Sequence, residues 1–255
     1  MIYRILLSLC ILAGLVLMPF SATALDIKDK ELLLYFSLNE GKGDAIEDLS
    51  PNGNDGELVG DADWVDGKFD KALGLESAGE VKAPYIELNE KSFTVTMWVK
   101  PALSGGDQQC VFSQTQVNAQ NTSLHYRIYN NGTVRMGFYA NDLDAPAAVD
   151  ADEWAHITFW LDVDGKSRQI YINGESVVED AGKAGIEYLG TAGDTMVGSW
   201  GNTGQKFNGI IDEVMVWDRA LSEDDIQRSM EDLSTLPVDP ADKLTTTWGS
   251  VKAQR

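Results

Sequence analysis

Phe207-Asn208-Gly209-Ile210-Ile211-Asp212-Glu213-Val214-Met215-Val216-Trp217-Asp218-Arg219-Ala220-Leu221-Ser222 runs directly into Glu223-Asp224-Asp225-Ile226 and decides how the rest of the chain is read. From Ile210 to Trp217 the residues alternate with period two, the pattern of a half-buried strand. Ile211, Glu213, Met215 and Trp217 fall on one face; Ile210, Asp212, Val214 and Val216 fall on the other. Asp212 is thereby set among three β-branched residues. A carboxylate buried there must meet a cation or several hydrogen-bond donors, because leaving it unpaired costs several kcal/mol or forces its protonation. Beyond the strand, Ser222 with Asp225 three residues on has the form of a capping box and predicts a short acidic helix to about Met230.

The same strand pattern recurs upstream. Phe93 to Lys100 sets Phe93, Val95, Met97 and Val99 against Thr94, Thr96, Trp98 and Lys100. Leu32 to Leu38, Ala72 to Leu75, Tyr85 to Leu88 and Cys110 to Gln114 read as further strands. Leu124 to Asn130 and Thr133 to Ala140 form a hairpin around Asn131-Gly132, and Trp154 to Val163 with Arg168 to Ile172 form another around Asp164-Gly165. Met196 to Gly198 leads into a loop, Ser199 to Gly204, that carries Trp200. Regularly spaced strands and turns, with one helix only at the end, predict an all-β sandwich in one domain.

Several of these stretches resemble laminin-G-like, concanavalin A-like jelly-roll domains. The shared motifs are the closing Gly-x-Ile-Asp-Glu-Val strand and Arg-Ala-Leu-Ser turn (Gly209, Ile211 to Val214, Arg219 to Ser222), the Glu40-Gly41-Lys42-Gly43 loop and the Asp48-x-Ser50-x-Asn52-Gly53 turn. The strand from Phe93 to Lys100 and the segment Trp154-Ala155-His156 are similar to the family as well. The resemblance implies a two-sheet antiparallel jelly roll over about Leu32 to Asp232, closed by a short helix. It also implies a binding or adhesion module, with carbohydrate as the commonest ligand class. Related sandwiches often hold a structural calcium between the opening loops and the closing strand, which points to Asp212, with Glu40, Gly41 and Asp48 beside it. Loop amides bonded to Asp212 without a metal are the alternative.

Composition narrows the function further. Forty acidic and twenty basic residues give a net charge of −20, a field that repels nucleic acid and anionic membranes. Residues 1–24, with Arg4, an apolar run from Ile5 to Met18 and Ala22-Thr23-Ala24 before Leu25, read as a signal peptide too short to span a membrane. The expectation is export to the periplasm or the extracellular space, with no membrane insertion of the mature chain. Without the leader Cys110 is the only thiol, so the core must hold without an intramolecular disulfide. The jelly-roll domain is assigned to residues 25–233. Residues 234–255, with Pro237, Pro240 and a basic end carrying Trp248, read as a flexible tail.

Catalytic constellations are missing from the sequence. No strand carries the paired carboxylates that a glycoside hydrolase on such a sandwich uses, and Gly198-Ser199-Trp200-Gly201 lacks the spacing of a nucleophile elbow. Two histidines make a His-built metal or triad site a poor fit. The expected protein is therefore no enzyme but a module that binds a glycan, or alternatively a cell-surface protein, with a hydrolase a distant third. The register of the Asn131-Gly132 hairpin turns Leu124, Tyr126, Ile128, Val134, Met136 and Phe138 inward. His125, Arg127, Tyr129, Arg135 and Tyr139 then share the opposite face, where rings stack on sugars and guanidinium forks bind hydroxyl, carboxylate or sulfate groups. Trp160 is expected to extend that face and Trp200 to rim it.

Overall fold

In a computed structural model the protein is described over residues 25–201 and 204–234, so residues 1–24, read above as a signal peptide, and all but the first residue of 234–255, read as a tail, lie outside the described residues. Sixteen strands and one helix are assigned there. The first sheet contains β1 (Leu32–Phe36), β4 (Asp63–Asp66), β5 (Lys71–Glu76), β7 (Phe93–Pro101), β12 (Ala155–Asp162), β13 (Ser167–Ile172), β14 (Glu175–Ala181) and β16 (Asn208–Trp217). Its order is β14-β13-β12-β7-β16-β5-β4, with β1 also on β16. The second contains β2 (Ala45–Ile46), β3 (Gly56–Val59), β6 (Glu80–Ala83), β8 (Gln108–Thr115), β9 (Ser123–Tyr129), β10 (Val134–Gly137), β11 (Asp142–Ala145) and β15 (Thr195–Val197). It runs β11-β10-β9-β8-β15-β6-β3-β2. The two sheets make an antiparallel jelly-roll sandwich, as the strand pattern and the family resemblance both require.

The inward-facing residues close one large core that includes Phe93, Val95, Met97, Phe112, Tyr126, Met136, Phe159 and Val216. A smaller apolar cluster covers the outer side of the first sheet. Here Leu25, Leu32, Tyr35, Met215, Trp217 and Leu233 pack with Leu221 and with Ile226 of helix α1 (Glu223–Arg228). Ser222 caps that helix by accepting from the Asp225 amide at 3.2 Å, as its sequence predicts, but the helix ends at Arg228.

Two strand expectations are corrected. Tyr85 to Leu88 is extended but unpaired: Pro84 has no N–H for a ladder, so β6 stops at Ala83 while Ile86 and Leu88 still point into the core. The alternation along β16 is also interrupted. Asp212 pairs with Trp98 and Met215 with Thr96, so one extra residue, Glu213, bulges out at φ +53°. Beyond it Val214 and Val216 join Ile211 in the main core, and Asp212 shares the outer face with Met215 and Trp217 instead of with the valines. At the bulge β16 also changes neighbour. Residues 208–211 pair with β5, and residues 214–217 pair with β1.

Candidate functional site

The β9–β10 hairpin holds the register read from its sequence. Arg135 lies opposite Arg127 and Gly137 opposite His125, while Leu124, Tyr126, Ile128, Val134, Met136 and Phe138 are buried in the core. The Asn131 turn is closed by Gly132 at φ +76°, where a Cβ would come 2.3 Å from the Val149 carbonyl oxygen. His125, Arg127, Tyr129 and Arg135 are thus collected on the outer face of the second sheet. Tyr139 follows β10 at φ +62°, and its backbone N–H donates to His125 Nε2 at 3.2 Å.

Trp200 is part of this cluster and covers it. Its ring lies 4.9 Å from that of His125 and 6.4 Å from that of Tyr139, with the Arg127 guanidinium 4.4 Å from its centroid. Trp200 Nε1 donates to Thr115 Oγ1 at 2.7 Å and Ser123 Oγ at 3.1 Å, hydroxyls on neighbouring strands. The result is a stack with His125, Arg127 and Trp200 only 2, 5 and 7 % exposed. Sequence reasoning placed Trp200 at the rim; it is the lid of the stack, and the half-buried Tyr129, Arg135 and Tyr139 form the rim.

The electrostatics of the face are uneven. Arg135 is held by Asp144 through two 2.7 Å bonds and by Asp142 at 3.1 Å, and lies 5.1 Å from the Tyr129 ring. Arg127 donates through Nη1 to Gln108 Oε1 at 3.0 Å, and its buried Nε has no partner among the described residues. Burial pushes the His125 ring down to about 3, and the nearby arginines push the same way. The ring is neutral, with Nε2 an acceptor, so its 3.9 Å approach to Asp142 is not an ion pair. Asp142, Asp144, Gln108, Ser123 and Thr115 escaped the sequence reading, although the period-two spacing of the two aspartates put them on one face. Gly137 also carried a signal, being a glycine inside a strand. A Cβ there would meet His125 Cε1 at 2.1 Å, so the ring lies across the backbone only because the residue is glycine.

Trp160 does not belong to this face. It lies on β12 of the other sheet, pairs with Thr94, and donates through Nε1 to the Leu221 carbonyl at 2.8 Å beside the outer cluster. Its sequence position relative to His156 gave the face of its own sheet but not the sheet.

The carboxylates considered for calcium are distributed over separate bonds. Asp212 Oδ2 accepts from the amides of Lys68 (2.8 Å) and Phe69 (3.2 Å), which supplies the donors its burial demands, while Oδ1 has no partner among the described residues. Burial pushes Asp212 up to about 7 against the pull of those amides. Asp48 is engaged by the Tyr35, Ser50 and Asn54 amides and the Ser50 hydroxyl, and Glu40 accepts from the Glu47 amide. Gly41 turns its loop at φ +67°. Among the described residues no group of three or more His, Cys, Asp or Glu side chains is placed to hold a metal ion. Cys110 is fully buried, with burial pushing its thiol up to about 12, as suits a packing residue.

The chain belongs to the concanavalin A-like lectin/glucanases superfamily, whose laminin-G-like family model matches residues 75–227. No curated protein matches it in sequence. Among solved structures it is similar to domain 4 of an extracellular arabinanase from Geobacillus stearothermophilus, in complex with arabinotriose. That match has a TM-score of 0.63 at 18 % identity and covers 79 % of this chain and 98 % of the domain. It is also similar to the binding domain of Paraclostridial Mosquitocidal Protein 1, with a TM-score of 0.62 at 19 % identity, covering 79 % of this chain and 52 % of the other. A third likeness is to the binding domain of botulinum neurotoxin serotype D/C, with a TM-score of 0.58 at 17 % identity, covering 77 % and 51 %. The chain spans about half the length of the two toxin domains. At these identities the likeness is one of fold.

Proposed function

We propose that the protein is an exported carbohydrate-binding module without catalytic activity, and that its glycan-binding face is the outer side of the second sheet around Arg127, Arg135, Tyr129, Tyr139 and Trp200. The observation that carries this reading is the stack itself: three aromatic residues and two guanidinium groups gathered outside the core on a chain of net charge −20. Rings of this kind pack on the apolar faces of sugars, and guanidinium groups supply donors to hydroxyls. Support comes from the fold, shared with a domain solved with arabinotriose bound. Export rests on the leader-like residues 1–24. A glycan array with the mature chain tests the function: wild type is expected to bind a defined set of glycans, and Tyr129→Ala/Tyr139→Ala to lose them while melting at the same temperature. No binding to any glycan would overturn the reading.

One observation favours a second reading, a module that binds a protein. Strand β14 is an edge strand with Val177 47 % exposed beside a groove of about 480 Å³ that includes Ala145, Ala147 and Ile172. Calcium is a separate proposal, supported by Asp212 Oδ1, which is buried without a partner among the described residues. Calcium at ten times its Kd would add about 1.4 kcal/mol of stability. Equal melting temperatures in EDTA and in excess calcium, with Asp212→Asn indifferent to both, would remove the ion from the account.

A further inference from the structure

We propose that Arg127 is an anchor for an anionic group on the glycan, a carboxylate or a sulfate, so that the module's ligand class is an acidic oligosaccharide. This rests on the glycan-binding reading above and sharpens it.

Among the described residues two arginines are at least nine-tenths buried. Arg168, 0 % exposed, follows the usual rule for a buried charge: Nε and Nη2 donate to Asp180 Oδ2 at 3.0 and 2.7 Å, and Nη1 donates to the Asn141 carbonyl. Arg127, 5 % exposed, meets no carboxylate among the described residues. Its charge lies against an indole face, its Nη1 on a neutral amide oxygen, and its Nε on nothing described. Its cross-strand neighbour makes the arrangement costlier. Arg135 stands directly opposite, and like charges at that position repel unless something negative lies between them. Asp142 and Asp144 do not serve Arg127, because both are spent on Arg135.

Gln108 stands where an anion would bind. It is half-buried at the start of β8, opposite Tyr129, and its amide oxygen is the neutral acceptor that a carboxylate or sulfate oxygen would replace at Nη1. Such a group arriving past Gln108 keeps Trp200 as the back wall and gives Arg127 the counter-charge that Arg168 already has. His125 adds no second cation, since its ring is neutral. The ligand is short, because a chain of charge −20 repels an extended polyanion and one buried guanidinium takes one acidic residue.

Titration calorimetry at pH 7 with two matched pairs of probes tests this. Trigalacturonate is compared with its carboxyl-reduced trisaccharide, and 3′-sulfated lactose with lactose, so the pairs separate carboxylate from sulfate and each has a neutral member. Wild type is expected to bind at least one acidic probe at least tenfold more tightly than its neutral counterpart. Arg127→Lys keeps the charge and loses the fork, and should remove most of that ratio; Gln108→Ala should preserve or raise it. Circular dichroism and melting of each variant show that it is folded. Equal affinity for acidic and neutral probes, a ratio that survives Arg127→Lys, or loss of acidic binding in Gln108→Ala would each overturn the anion site while leaving a glycan-binding module standing. No binding to these probes or to any arrayed glycan would overturn both.

Discussion

Replacing Glu213 by glutamine should make the protein more stable in alkali and leave it nearly unchanged in mild acid. Glu213 occupies the bulge of β16, is 1 % exposed, and accepts from the Tyr35 hydroxyl at 2.5 Å. Burial is the main force on it, with the neighbouring Asp212 carboxylate adding to it; together they push the acid from 4.5 up to about 9 against the hydrogen bond from Tyr35. A folded pKa above the unfolded one means that the stabilisation is complete below about pH 4.5 and is lost as pH rises toward 9. The loss is at most about 1.4 kcal/mol per pH unit for one proton, and relaxation around a buried charge leaves about 3 kcal/mol of it by pH 8.5. Glutamine keeps an acceptor for Tyr35 and carries no charge to be desolvated. For a domain of this size about 3 kcal/mol corresponds to roughly 6–12 °C in melting temperature. Scanning calorimetry in EDTA at pH 5, 7 and 8.5 should therefore show the variant gaining on wild type as the pH rises. A difference independent of pH, or a variant that melts lower than wild type at pH 8.5, would refute the reasoning.

Three further outcomes are expected. Burial pushes both His125 and His156 from 6.5 down to about 3, so their contribution is complete above about pH 6.5 and is lost as pH falls toward 3; urea unfolding should show stability declining on that acid limb, and more shallowly in His156→Gln. Gly137→Ala drives a methyl group into the His125 ring and should cost about 1–3 kcal/mol by urea denaturation, with a change in near-ultraviolet dichroism as Trp200 loses its stacking partner. Ser222→Ala removes the acceptor that caps α1 and should cost about 1 kcal/mol by the same measurement.

The fold was legible because its signals are local. Alternation in β7 and β9, the glycine turn after Tyr129 and the Ser222 cap each specify their element without reference to distant residues. Three features were not legible for the same reason. The bulge at Glu213 depends on β7 setting one residue, Met97, against two of β16, Glu213 and Val214, so the period-two reading gave Asp212 the wrong companions. Trp160 was assigned to the ligand face because alternation names a face of a strand and not the sheet to which the strand belongs. The descent of Trp200 onto His125 and Arg127 is fixed by hydroxyls on β8 and β9, far from the tryptophan in sequence. Arg127 was found as a face residue, but its lack of a carboxylate emerges only when Asp142 and Asp144 are seen to turn to Arg135.

The change of neighbour along β16 bears on how the chain matures. The strand that completes the centre of the first sheet, between β7 on one side and β5 and β1 on the other, is the last strand in chain order among the described residues. Until it emerges, β7 presents a naked edge of apolar residues, and the first strand has nothing to pair with. Closure of the sheet therefore waits on that strand and has a long loop to close, and folding should be slow and prone to intermolecular pairing beforehand. The same adjacency of first and last strands, with Leu25 and Leu233 in one apolar cluster, makes the molecule a natural subject for circular permutation. A permutant that joins residues 233 and 25 and opens at the Asn131-Gly132 turn would deliver β16 and β1 in immediate succession, and should refold faster than the natural order.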